Sequence, residues 1–259
     1  MRNDGRVNVE SFFEFIAWTM EPWKAYGPQH LAFILIAMPL GWLIAGKLKK
    51  NEWILFGIGV FLLISEIMKH LFFYYVINPG VISWSIFPFQ FCSVPMYLQV
   101  LLPFVNEKWK NRFYDYLISY SLMGAFIAFF EPSGLISDFV FLTAHSFAWH
   151  YLIVFSGFYI GLRFRKAELK NFHNSFIMFM ILATIAFGIN LAFLKVSDGT
   201  INMFFLGPVN TSIIVFRDIA ERFGWYVNLP IWLASVTGGA WIFFFIWTRI
   251  PSNQKLTYK

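Results

Sequence analysis

Seven long apolar segments dominate the chain, and polar or charged residues separate them. Each segment is near the ~20 residues that a helix needs to cross the hydrocarbon core of a membrane. A helix also satisfies its own backbone hydrogen bonds where no water is present. The sequence therefore predicts an all-α, polytopic membrane helix bundle. The predicted spans cover residues 29–46, 53–77, 84–105, 113–131, 138–162, 174–194 and 228–248.

Composition argues against an ordinary soluble domain. Hydrophobic residues make up 58% of the chain and charged residues only 13%, whereas soluble domains carry about 25% charged residues. The formal net charge of +6 does not indicate nucleic-acid binding, because the basic residues cluster in particular loops, as an orientation signal does. A single cysteine excludes an intrachain disulfide.

Shorter segments flank the predicted seven-helix domain, which covers 28–250. Aromatic and acidic residues over 9–24 predict an amphipathic helix in the membrane interface, within an N-terminal segment 1–27. Residues 196–227 predict a structured loop with one short helix, because charged residues crowd its second half. Residues 251–259 predict a polar cytoplasmic tail.

Basic residues alternate between the loops. The loops after the first, third and fifth spans and the C-terminal tail carry 3, 3, 4 and 3 Lys/Arg, whereas the loops after the second and fourth carry none. Basic loops stay in the cytoplasm. The pattern therefore predicts a multi-pass protein of the cell membrane with its N-terminus outside and its C-terminus inside.

Several predicted spans contain polar side chains, which are costly to expose to lipid. With the predicted orientation, most of them lie at a similar depth, between the outer leaflet and the middle of the bilayer. The sequence therefore predicts a polar pocket between helices. Its candidate residues are His30, Glu66, His70, Gln90, Cys92, His145, His150, Asn190 and Asn202.

The combination of a thiol with a histidine suggests a nucleophile with its general base. A histidine can generate the thiolate of Cys92, and a thiolate attacks acyl groups to form a thioester. His145 and His150 are five residues apart, ~140° around a helix, so they do not face one metal position together. The chain also lacks His-x-x-x-His and Cys-x-x-Cys pairs, and we expect neither a metal nor a cofactor.

Structural roles for the same residues remain open. Cys92 suits a small core filler, and buried histidines and asparagines suit hydrogen bonds between helices. Glu66 suits an ion pair with Lys69 or His70, because residues three and four apart share a helix face. A polar pocket also suits a non-enzymatic transporter or sensor that binds a small polar or lipid ligand. The residues do not indicate an oligomeric state.

A series of short motifs extends over about 26–235. They are Tyr26-Gly27-Pro28-Gln29-His30-Leu31, Glu66, Phe87-Pro88-Phe89-Gln90-Phe91-Cys92, Gly124-Ala125 with Pro132, His150-Tyr151-Leu152-Ile153-Val154, Asn190, Asn202-Met203-Phe204-Phe205-Leu206 and Pro230. In this order they resemble the YwaF-like bacterial integral membrane proteins, which are related to the eukaryotic transmembrane-protein-164 family.

The resemblance implies a lipid acyltransferase, which moves a fatty acyl chain from a phospholipid to a lysophospholipid, or a related lipid hydrolase. Its partners would be these membrane lipids. It implies that Cys92 is the nucleophile that holds the acyl group and that His150 is the general base. His145 remains an alternative base, because its predicted depth is closer to that of Cys92. The other pocket residues would have supporting roles.

Overall fold

The computed structural model describes residues 9–208 and 213–250, and over these residues the chain is helical and contains no strand. The outermost parts of the predicted terminal segments, 1–8 and 251–259, lie outside the described residues. The helices are α1 (Val9–Ile16), α2 (Pro28–Lys47), α3 (Glu52–Ile77), α4 (Val94–Phe104), α5 (Glu107–Phe130), α6 (Val140–Arg163), α7 (Phe172–Phe193), α8 (Ile214–Phe223) and α9 (Trp225–Arg249).

Among the described residues, five helices are long and apolar enough to cross a membrane: α2, α3, α5, α7 with its preceding turn, and α9. They match five of the predicted spans, so the predicted membrane helix bundle is confirmed at this level. The predicted fifth span corresponds to α6. This helix has 24 residues, but its two histidines and Arg163 make it less apolar than the others.

The prediction of a continuous third span over 84–105 is wrong. A single short helical turn covers Trp84–Ile86, and the regular helix α4 begins only at Val94. Pro88 has no backbone N–H to continue a helix, and Pro95 favours the first turn of a new one. Irregular backbone at membrane depth is tolerated where it is buried in protein or lines a cavity.

The predicted N-terminal helix over 9–24 is also shorter in the structure. Helix α1 ends at Ile16, and the chain then runs extended beside the start of α6. Met20 N donates to Asp138 O over 2.7 Å, and Val140 N donates to Trp18 O over 2.9 Å. The predicted short helix within 196–227 is confirmed as α8, which packs on α9.

Helix α5 is the centre of the bundle. In its most apolar stretch 72% of the residues are buried, against at most 33% in the other four apolar spans. It packs against α6, α7 and α9, while α3 packs against α4 and α2 against α6. The Cys92 segment therefore lies between the α3–α4 pair and the buried central helix.

Close approach of α3 and α4 depends on Gly59. A Cβ atom built at Gly59 lies 2.8 Å from Val100 N and 3.0 Å from Met96 O, both in the backbone of α4. Since backbone cannot move aside as a flexible side chain can, we expect Gly59→Ala to destabilise the protein by about 1–3 kcal/mol. The midpoint of thermal unfolding in detergent measures the effect.

Gly57→Ala is the matched control, since a Cβ at Gly57 meets no atom within 4 Å. Alanine favours a helix by up to ~1 kcal/mol over glycine, so this variant should unfold at the same temperature as the wild type or slightly higher. Equal midpoints for the two variants would show that the α3–α4 contact adjusts without cost.

Candidate functional site

Cys92 lies in a turn, residues 87–93, directly before α4. Ser93 N donates to Gln90 O over 2.8 Å, and the Tyr97 hydroxyl donates to Pro88 O over 2.6 Å. From α6, Trp149 Nε1 donates to Cys92 O over 3.0 Å. The turn is therefore fastened at both ends, and Cys92 itself is attached to the helix that carries the two histidines.

The turn faces a cavity of ≈ 300 Å³. Its polar lining comes from α3, the Cys92 turn, α6 and, through Ser137, the loop before α6. Apolar side chains from the same parts of the chain complete the wall. The lining residues used below are Glu66, Lys69, Gln90, Cys92, His145 and His150. The structure thus brings together five of the predicted site residues, and Lys69 with them.

The ring orientation of His150 is fixed by its own helix. His150 Nδ1 is 2.8 Å from Ser146 O, and because a carbonyl only accepts, Nδ1 must carry the proton. In the neutral ring the other nitrogen, Nε2, then keeps its lone pair. The Phe129 ring packs edge-on against the His150 ring, with centroids 6.2 Å apart. This is the tautomer that a base acting through Nε2 requires.

His145 is one helical turn before Trp149 and stacks on it, with ring centroids 5.3 Å apart and an interplanar angle of 25°. Because Trp149 also binds the Cys92 carbonyl, the position of His145 is tied to the same turn. His145 Nε2 is buried and has no hydrogen-bond partner. Both histidines therefore border the cavity, and each is held by a backbone group: His145 by that of Ser65 and His150 by that of Ser146.

A buried ion pair closes the α3 side of the cavity. Lys69 Nζ is 2.7 Å from Glu66 Oε1, and Glu66 is only 2% exposed. Glu66 Oε2 is buried without a partner. His70 Nδ1 donates to Glu66 O over 2.8 Å, but His70 lines a separate cavity of ≈ 200 Å³ together with Tyr97.

The two asparagines lie away from the cavity and hold another turn. Asn190 is fully buried, and its amide binds both Met203 O (2.9 Å) and Met203 N (2.6 Å). Asn202 Oδ1 accepts from Gly207 N over 2.8 Å. These bonds support the left-handed backbone at Phe204 (φ 56°), whose ring packs on Phe91 with centroids 5.2 Å apart. The asparagines thus act on the Cys92 turn only through packing.

His30 is also separate from the cavity. It is fully buried; Nδ1 accepts from Tyr26 N over 3.1 Å, and Nε2 donates to Phe129 O over 3.0 Å. The bond to Phe129 O joins the start of α2 to the end of α5, and the bond from Tyr26 N fixes the ring locally. The structure therefore places His30, Asn190 and Asn202 outside the pocket in which the sequence predicted them.

Two lining residues did not stand out in the sequence as site residues. Trp149 is one of 11 tryptophans, and only its spacing of four from His145 indicated a shared helix face. Lys69 was recognised as a partner for Glu66, although it also borders the cavity. Within 9–208 and 213–250, no three His, Cys, Asp or Glu side chains are grouped as metal ligands.

A match to a protein-family model identifies the family of the chain. No curated protein and no solved structure gives a significant match. The model of the TMEM164 family, however, matches residues 25–248, a range that includes every residue of the cavity wall. This confirms the predicted relation to that family, while the bacterial YwaF-like branch stays a prediction. The chain belongs to the TMEM164 family.

Proposed function

We propose that the protein is a lipid acyltransferase that works through a thioester on Cys92. Its substrates would be membrane phospholipid and lysophospholipid, and water as acceptor would make it a hydrolase. The observation that carries the proposal is the shared cavity of Cys92 and His150 inside an apolar bundle, with the His150 tautomer set for a base.

The proposed first step transfers the acyl group to the enzyme. His150 Nε2 takes the thiol proton as Cys92 Sγ attacks the ester carbonyl of the donor lipid. The C–O bond to the glycerol breaks, and the leaving alkoxide takes the proton back from His150.

The second step reverses these roles. A hydroxyl of the lysophospholipid gives its proton to His150 Nε2 and attacks the thioester carbonyl. The C–S bond breaks, and the thiolate of Cys92 recovers the proton from His150. The atoms balance without a metal, a cofactor or an external oxidant. The net result is exchange of one acyl chain between two lipids.

The proposed topology is seven membrane passages with the N-terminus outside and the C-terminus in the cytoplasm. It is supported by the meeting of three basic loops at one end of the bundle. Lys110 Nζ binds Glu52 Oε2 over 2.8 Å, Arg163 binds the carbonyls of Ala45 and Gly46, and Arg165 binds Asp115. The positive-inside rule assigns such an end to the cytoplasm.

The direct test is capture of the thioester. Purified protein in neutral detergent receives a phospholipid with a radiolabelled acyl chain and no acceptor. We expect hydroxylamine-sensitive label on the peptide that contains Cys92. Acyl transfer after lysophospholipid is added, without labelled protein beforehand, would contradict the covalent route. Neither label nor transfer, with specific lipid or solute binding retained, would favour the transporter or sensor alternative.

His150→Ala should slow thioester formation by about 10²-fold or more, because general acid–base catalysis contributes factors of this size. His145→Ala is the matched comparison, since it removes the other histidine from the same wall, and we expect a smaller loss. The initial rate of protein labelling measures both. A larger loss in His145→Ala than in His150→Ala would assign the base to His145.

A further inference from the structure

Lys69 has a place in the cavity that the thioester chemistry does not explain. Among the described residues that line the cavity it is the one lysine or arginine, and its side chain is 17% exposed. An ionised side chain within a membrane bundle is costly and tends to mark a substrate or ion site. The ion pair with Glu66 explains how the charge is tolerated, but it does not explain why Lys69 borders a cavity beside Cys92 and His150.

The ammonium group retains unused hydrogen-bonding capacity. A lysine ammonium has three N–H donors, and one of them is accounted for by Glu66 Oε1 at 2.7 Å. No other hydrogen bond from Lys69 Nζ occurs among the described residues. The remaining donors lie in a wall shared with Cys92 and His150. They suit an anionic oxygen, for which charge-assisted hydrogen bonds are strong.

We propose that Lys69 binds the phosphate group of the lipid and thereby selects glycerophospholipids over neutral acylglycerols. This inference rests on the proposed function in one respect, namely that the lipid bound at Lys69 is a substrate. In a glycerophospholipid only the glycerol carbons separate the phosphate from an acyl ester. One cavity of ≈ 300 Å³ therefore holds both the phosphate at Lys69 and the ester at Cys92.

Glu66 orients the lysine in this arrangement. Its Oε1 holds Lys69 at one edge of the cavity, and the Glu66 backbone carbonyl accepts from His70. A neutral acylglycerol offers no anion for the ammonium and gains nothing from it. The expected consequence is a selectivity in binding that does not depend on the reactivity of the thiol.

Binding without turnover tests the proposal. Two photoactivatable probes with the same acyl chains are used, a phosphatidylcholine and a diacylglycerol, with full-length protein in maltoside detergent. Cys92→Ala is present throughout, so no acyl transfer occurs. In this background we expect Lys69→Met to lower cross-linking of the phospholipid probe by about tenfold or more and to leave the diacylglycerol probe unchanged. Lys69→Arg should retain most of the phospholipid binding.

Lys195→Met is the matched control, because Lys195 is exposed and lies outside the cavity wall. An equal loss of both probes in Lys69→Met, or no loss of the phospholipid probe, would overturn the phosphate site. Selective loss of the phospholipid probe, together with a protein with Cys92 intact that forms no thioester in the labelling experiment, would keep the lipid site and refute the acyl transfer. The two proposals therefore fail separately.

Discussion

Replacing Cys92 with alanine is expected to reduce acyl transfer by ~10⁴-fold or more, because removal of a covalent nucleophile leaves only binding and polarisation. Cys92 is the only cysteine in the chain, so no neighbouring thiol can take its place. The measurement is transfer of a labelled acyl chain from phospholipid to lysophospholipid in vesicles that contain the purified protein.

Cys92→Ser is the control for folding. Serine has nearly the size of cysteine, and the bond from Trp149 reaches the backbone carbonyl of residue 92, so this variant should unfold near the wild-type temperature. It should also be severely impaired, because a serine hydroxyl is much harder to deprotonate than a thiol. Wild-type transfer in Cys92→Ala would rule out the thioester.

Replacing Asp115 with alanine should lower the free energy of unfolding by about 3–5 kcal/mol, since removing one partner of a buried ion pair leaves the other uncompensated. Asp115 is fully buried. Its two oxygens accept from Arg165 over 2.7 and 2.8 Å, and Oδ2 also accepts from Asn174 over 3.1 Å. The carboxylate thus joins α5, α7 and the loop after α6. Unfolding in detergent with increasing denaturant measures the loss.

A double variant distinguishes the effect of losing the ion pair from the effect of losing side-chain volume at position 115. Asp115→Leu together with Arg165→Met replaces both charges by apolar groups, which often costs little, so it should be more stable than Asp115→Ala. Glu168→Ala breaks an exposed ion pair with Lys170 (2.8 Å) and should leave unfolding unchanged, since exposed pairs contribute little. Equal stability of Asp115→Ala and the wild type would contradict the role of this cluster.

Much of the bundle could be predicted because a helix that crosses a lipid bilayer must be about 20 residues long and largely apolar. The spans at 29–46, 53–77, 113–131, 174–194 and 228–248 each coincide with a long apolar helix. The third span failed because hydropathy measures how apolar a segment is and not whether its backbone can form a helix. Pro88 and Pro95 indicate the break, because a proline cannot continue a helix but is accepted in its first turn.

The site was harder to predict for a geometric reason. Sequence and orientation place a residue at a depth, but they do not say which neighbour a helix turns it toward. Glu66, Cys92 and His145 have similar predicted depths, and they also share a cavity. Asn190 has a similar predicted depth, yet it faces the Met203 turn. Rotation about the helix axis depends on packing, as between Gly59 and α4.

The cavity wall is assembled from stretches far apart in the chain, which has a consequence for biosynthesis. A nascent chain that has released only α3 and α4 into the membrane contains the thiol of Cys92 and the Lys69 ion pair, but neither His145 nor His150. The proposed base joins the cavity wall only after α6 has been made, and Arg163 at the end of α6 binds the carbonyl groups near the end of α2. The order of synthesis thus leaves the cavity wall incomplete until most of the bundle has been made.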